Sequence, residues 1–137
     1  MSAVLTIHLI ATVFMTGLIW FVQVVHYPLM RFVGLEQFPL YEQKHREFTT
    51  WVVMPVMLIE LTTGVILVIQ APGWREVAGL TLIGLIWVTT WLCSVPAHIR
   101  LSIGFDLQAH QFLVRTNWIR TLGWTARSVI GTMFCCL

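Results

Sequence analysis

Four stretches of this chain, at about 4–27, 49–70, 78–96 and 116–136, have the length and apolarity of membrane spans. A helical span needs about 20 apolar residues to cross roughly 30 Å of hydrocarbon. Inside lipid each backbone amide must find its partner within the protein, so a segment of this length crosses as a helix. Composition agrees: 58% of the 137 residues are hydrophobic and 10% are charged, too few polar groups to solvate a globular domain. The expected fold is therefore all-α, a single domain over 1–137 built as a four-helix antiparallel transmembrane bundle. The first stretch is too long for a signal-peptide core and lacks a basic flank and a small-residue cleavage site, so it is expected to be retained.

Charge distribution sets the expected orientation. The segments 28–48 and 97–115 carry Arg31, Lys44, Arg46, Arg100 and Arg115, whereas the 71–77 turn carries only Arg75. The positive-inside rule places both long loops in the cytoplasm and both termini outside it. Each loop is expected to hold a short cytoplasmic amphipathic helix. Pro39 can open one that runs through Tyr41 and His45 into the second span, and Asp106 can cap another that carries His110 into the fourth. Pro28 and Pro96 are expected to terminate helices, and Pro55 to kink the second span and make room for a ligand.

Polar residues in a span face protein or a cavity, because lipid offers them no partner. Their spacing therefore marks the inner faces. His110, Asn117, Arg120, Trp124, Arg127 and Gly131 share one face of the fourth helix. His8, Thr12, Thr16, Gln23 and His26 or Tyr27 line the first, and His45, Thr49, Val56, Glu60 and Thr63 the second. Thr90, Ser94 and His98 supply the third. Glu60 and Arg127 both fall roughly 17 Å deep at 1.5 Å per residue, so a buried pair is expected. That pair is either a bridge that fixes helix register or a proton or anion station. Arg120 has no acidic partner at its depth and either snorkels to the interface or meets an anionic ligand.

His26, His45, His98 and His110 each sit at the cytoplasmic end of a different helix. Facing helices about 8–10 Å apart allow such imidazoles to share one ion or a macrocycle. Nitrogen-rich ligation suits iron, copper or zinc, and haem is an alternative with two histidines axial and Arg120 near its propionates. Tyr27, Tyr41, Glu42 and Glu47 can add oxygen ligands or orient the rings. No local metal motif such as HExxH is present, so the grouping rests on topology alone. His8 lies apart, near the outer surface, as a satisfied lone histidine or a partner of Glu76. Cys93, Cys135 and Cys136 lack metal-ligand or CxxC spacing and are expected to be small apolar residues. The chain has no nucleotide-binding loop, hydrolase triad spacing or nucleic-acid signature.

The segments HYPLM at 26–30, YEQKH at 41–45, MPVMLIE at 54–60, VPAHIRL at 95–101 and RTNWIRTLGWTAR at 115–127 span nearly the whole chain. In them the chain resembles a widespread group of small bacterial four-helix membrane proteins of unassigned activity. That resemblance implies the fold and a bacterial inner membrane, and transfers no catalytic residue. A more distant, architectural likeness is to the anthrone oxygenase-like membrane proteins, and it implies oxygen chemistry.

The function expected from these features is a histidine-rich metal or haem site at the cytoplasmic membrane face. It would serve redox or oxygen chemistry on a small lipophilic substrate or electron carrier such as a quinone. Tyr41, Arg120, Glu60 and Arg127 are the expected catalytic groups, with His26, His45, His98 and His110 as ligands. The alternatives are a small oligomeric transporter or channel subunit that uses Glu60 and Arg127, its close helix contacts helped by Gly123 and Gly131, or an accessory subunit of a larger membrane complex.

Overall fold

The computed structural model describes residues 2–133, which form four helices and, among them, no strand. Cys135 and Cys136 lie outside the described residues. We label the helices α1 (Ala3–Met30), α2 (Phe38–Gln70), α3 (Trp74–Leu101) and α4 (Leu107–Thr132). The first three are long and apolar enough to cross a membrane. Helix α4 has 26 residues and so the reach of a span, about 39 Å at 1.5 Å per residue. It falls short in apolarity, because Arg115, Asn117, Arg120 and Arg127 interrupt it. Three of these four, Asn117, Arg120 and Arg127, are buried against the other helices.

Helix α1 packs on α2 and α4, and α3 packs on the same two, so the four close a ring. One end gathers Tyr27, Phe38, Leu101 and Ala109 into an apolar cluster, and the middle holds Met15, Ile19, Met57, Ile86 and Trp124. The opposite faces display large apolar side chains such as Val13, Trp51, Ile69 and Leu122. Gly123 lets α3 approach: a Cβ there would stand 3.1 Å from Ile86 Cγ1.

Helix starts follow local chemistry. Ser2 Oγ accepts the Leu5 amide at 3.3 Å, and Asp106 Oδ1 accepts that of Ala109 at 2.9 Å. The Ala109 amide, helped by Arg100, holds the Asp106 carboxyl below its ordinary value of 3.8. The charged cap is therefore present above that value and lost as pH falls through the lowered one. Asp106→Ala should lower the protection of the first-turn amides of α4 against exchange at neutral pH, and acidifying the unmodified protein through the lowered value should do the same, each measured relative to the intrinsic exchange rate.

The prolines behave differently from expectation. Pro28 and Pro96 do not terminate helices; the chain stays helical through Met30 and Leu101. Each proline is preceded by a π-helical turn, Val22–His26 in α1 and Thr90–Ser94 in α3. The wider turn absorbs the amide that proline cannot supply and the clash of its ring with the preceding turn. Pro55 sits in an unbroken α2 and faces outward.

Candidate functional site

Both π-turns border the same space. A cavity of about 190 Å³ lies between α1, α2 and α3, walled by Met15, Ile19, Val53 and Met57. Its polar lining includes Tyr27, His45, Ser94, His98 and Arg120, with Arg46 at the wall donating to Ser102 Oγ at 3.2 Å. The volume exceeds the roughly 150 Å³ known to admit benzene.

Hydrogen-bond chemistry at the polar end can be followed atom by atom. Glu42 is fully buried, and its Oε1 stands 2.6 Å from His98 Nδ1. A buried carboxylate accepts, so Nδ1 carries the proton and Nε2 presents its lone pair. The Tyr27 hydroxyl lies 3.2 Å from that Nε2 and therefore donates to it. Its oxygen also faces Arg120. Arg120 Nη1 donates to Ser94 Oγ at 3.1 Å and Asn117 Oδ1 at 3.2 Å, while Asn117 donates to Gln23 at 2.8 Å. Arg120 Nε has no partner among the described residues, although the side chain is buried. Arg120 therefore does not snorkel; it stays at the cavity with neutral hydrogen-bond partners and the Trp124 face 5.4 Å away.

Three of the four histidines come together. His26 stacks on His45 with centroids 4.4 Å apart and planes 28° from parallel, and His45 lies 5.2 Å from His98. Tyr41 stacks alongside both, its hydroxyl 3.5 Å from His26 Nε2. His110 is elsewhere: its Nε2 donates to the Tyr27 carbonyl at 2.7 Å, beside the end of α1, where carbonyls lack helical partners. Glu47 is exposed and pairs with Lys44 at 2.9 Å.

Among the described residues no three of His, Cys, Asp and Glu converge as a ligand set. Stacking explains why: imidazole lone pairs lie in the ring plane, so near-parallel rings do not aim them at one point. Both nitrogens of His98 and the Nε2 of His110 are already engaged by protein. A porphyrin, several times the size of benzene, does not fit the cavity. One feature does suit a cation: Glu42 Oε2 is buried without a partner among the described residues.

Glu60 and Arg127 form a second polar layer that does not border the cavity. Arg127 Nη1 pairs with Glu60 Oε1 at 2.5 Å, and Trp124 Nε1 donates to Glu60 Oε2 at 2.9 Å. Thr63 donates to the Ile59 carbonyl at 2.6 Å and so receives the His8 Nδ1 proton at 2.7 Å. His8 Nε2 is then the acceptor for Arg127 Nη2 at 3.2 Å, which makes His8 a neutral strut of this layer rather than a partner of Glu76. Trp124, fully buried, separates the two layers.

No family model matches the chain, and no curated protein or solved structure matches it.

Glu42, an accessory oxygen donor in the sequence pattern, is here the partner of His98. Its signal was available: 38, 42, 45 and 49 recur at helical spacing, so Glu42 shares the inward face of His45 and Thr49.

Proposed function

We propose that this protein is an integral membrane acid–base catalyst acting on a small lipid-soluble molecule that carries a carbonyl or acidic hydroxyl. In this reading α4 is the fourth span of an antiparallel bundle, packed in a bacterial inner membrane with the histidine end at the cytoplasmic face and the termini outside. The observation that carries the proposal is the Glu42–His98–Tyr27 chain ending at Arg120 in a cavity walled on its other side by Met15, Ile19, Val53 and Met57.

Each residue has a distinct task. Tyr27 passes its phenolic proton to His98 Nε2, producing an imidazolium beside the Glu42 carboxylate and a phenolate beside Arg120. The phenolate takes a proton from the ligand, whose developing negative oxygen is held by Arg120. Return of a proton from Tyr27, to the same or a neighbouring ligand atom, restores the starting state. No electron is gained or lost. Low-polarity walls strengthen every one of these charge interactions. His26 and His45 stand ring against ring beside His98 and close the relay on the loop side of the bundle.

A metal-bearing site is the second reading, favoured by the orphaned Glu42 Oε2 and by the three neighbouring histidines. It requires His26 and His45 to turn out of their stack, and it would add the redox or oxygen chemistry that the resemblance implies. The transporter alternative has less support, because Trp124 has an N–H donor and no acceptor and so cannot pass a proton between the layers. Glu60 and Arg127 are then a bridge that fixes helix register.

The deciding experiment follows deuterium incorporation from D2O into lipophilic ketones, anthrone and 2-tetralone among them, with the protein in nanodiscs and elemental analysis of the same sample. Incorporation above empty nanodiscs from metal-free protein is the expected result. Stoichiometric iron, copper or zinc with no metal-free activity would replace this reading with the second. Neither activity nor metal would contradict both.

A further inference from the structure

The cavity opens sideways. A groove of about 240 Å³ runs between α1 and α2, lined by Leu18, Phe21 and Val22 on one side and Phe48, Val52 and Val53 on the other. Leu18, Val22, His45, Thr49 and Val53 border both groove and cavity, so one thin threshold separates them. Phe21, Phe48 and Val52 are 55%, 61% and 49% exposed, on the face that apolar helices turn to lipid. Beyond the threshold stands Arg120, a buried cation whose Nε has no partner among the described residues and whose hydrogen-bonding neighbours are all neutral. A cation so placed favours an anion, since a charge held in the membrane without a counter-charge is costly.

We infer that the ligand is a single-chain amphiphile with an acidic oxygen head, which enters from the bilayer between α1 and α2. Its head sits at Arg120 and its tail stays in the groove. The inference rests on the acid–base reading for the identity of the cavity and adds to it the ligand class and the route. Two features select this occupant. The groove is apolar at Leu18, Phe21, Val22, Phe48, Val52 and Val53, turns polar at His26, His45 and Thr49, and joins a cavity that holds the Arg120 cation, so a molecule spanning both carries an apolar chain and an acidic head. The groove holds only about 240 Å³ between two helices, which suits one chain better than the two of a phospholipid.

The test uses palmitic acid carrying a diazirine near the chain end, photolysed with the protein in phosphatidylcholine nanodiscs, followed by peptide mapping. Adducts are expected on Phe21, Phe48 or Val52, displaced by unlabelled palmitate and not by excess phosphatidylcholine. Arg120→Gln should cut this labelling at least about tenfold, the worth of one charge-assisted hydrogen bond. Val53→Trp, at the threshold, serves where Arg120→Gln fails to fold. It should exclude a second probe with its diazirine beside the carboxylate from Tyr27 and Met57.

Groove labelling that phosphatidylcholine displaces, or that is insensitive to both substitutions, would overturn the inference. Deuterium incorporation into small ketones without any groove labelling would overturn the route and leave the acid–base reading standing. Loss of both would remove the two together.

Discussion

Arg127→Met is expected to destabilise the protein by about 3–5 kcal/mol, because it leaves the Glu60 carboxylate buried without its cation. The geometry sets the size. Both side chains are almost completely inaccessible, and Glu60 keeps only the Trp124 N–H once Arg127 is gone. His8 and Thr12 lose their guanidinium partner in the same step. Replacing both Glu60 and Arg127 with methionine should recover most of the loss, since two well-packed apolar residues remove the orphaned charge along with the pair. Unfolding in mixed micelles with increasing dodecyl sulfate, followed by tryptophan fluorescence, measures both. A double variant as unstable as Arg127→Met would mean that the bridge does more than satisfy its own charges. A stable Arg127→Met would mean that Glu60 is reached by water.

Tyr27→Phe is expected to lower proton transfer to lipophilic ketones by about 10²–10⁴, the range for loss of a positioned acid–base group. The substitution keeps the ring in its apolar cluster with Phe38 and Leu101 and removes only the hydroxyl between His98 and Arg120. Ligand retention should fall far less than turnover. Glu42→Gln separates the relay from simple positioning. It preserves the shape of the buried side chain but cannot stabilise an imidazolium, so turnover should fall while ligand binding holds. Equal turnover in Tyr27→Phe and the unmodified protein would place the chemistry elsewhere in the cavity, with His45 the next group to examine.

Much of the fold follows from periodicity. The six positions from His110 to Gly131 that share one face of α4 are all buried, because that is the face the other helices pack against. The depth argument for Glu60 and Arg127 holds for the same reason: rise per residue is fixed, so equal counts from one end reach one level. Other features depend on three-dimensional context that a residue count cannot carry. Prolines at 28 and 96 look like terminators until a π-turn upstream lets each helix continue. The fourth helix looks like an ordinary span by position, yet its arginines make it dependent on the other three.

The histidines show the same limit from the side of function. Topology brings all four to one end, but ring orientation decides what they can do. His26, His45 and His98 join by stacking, and His110 turns away to satisfy a carbonyl. Glu42, three residues before His45, is the hydrogen-bond partner of His98.

The central claim is that the cavity at Arg120 holds a lipid-soluble molecule. Native mass spectrometry of the purified protein and of Arg120→Gln, each released from bilayer nanodiscs, tests it most directly. The account predicts one discrete added mass on the unmodified protein, identifiable after extraction as an oxygen-bearing lipophile, and its loss from Arg120→Gln. Bare polypeptide in both samples, or the same added mass retained by the variant, would contradict it.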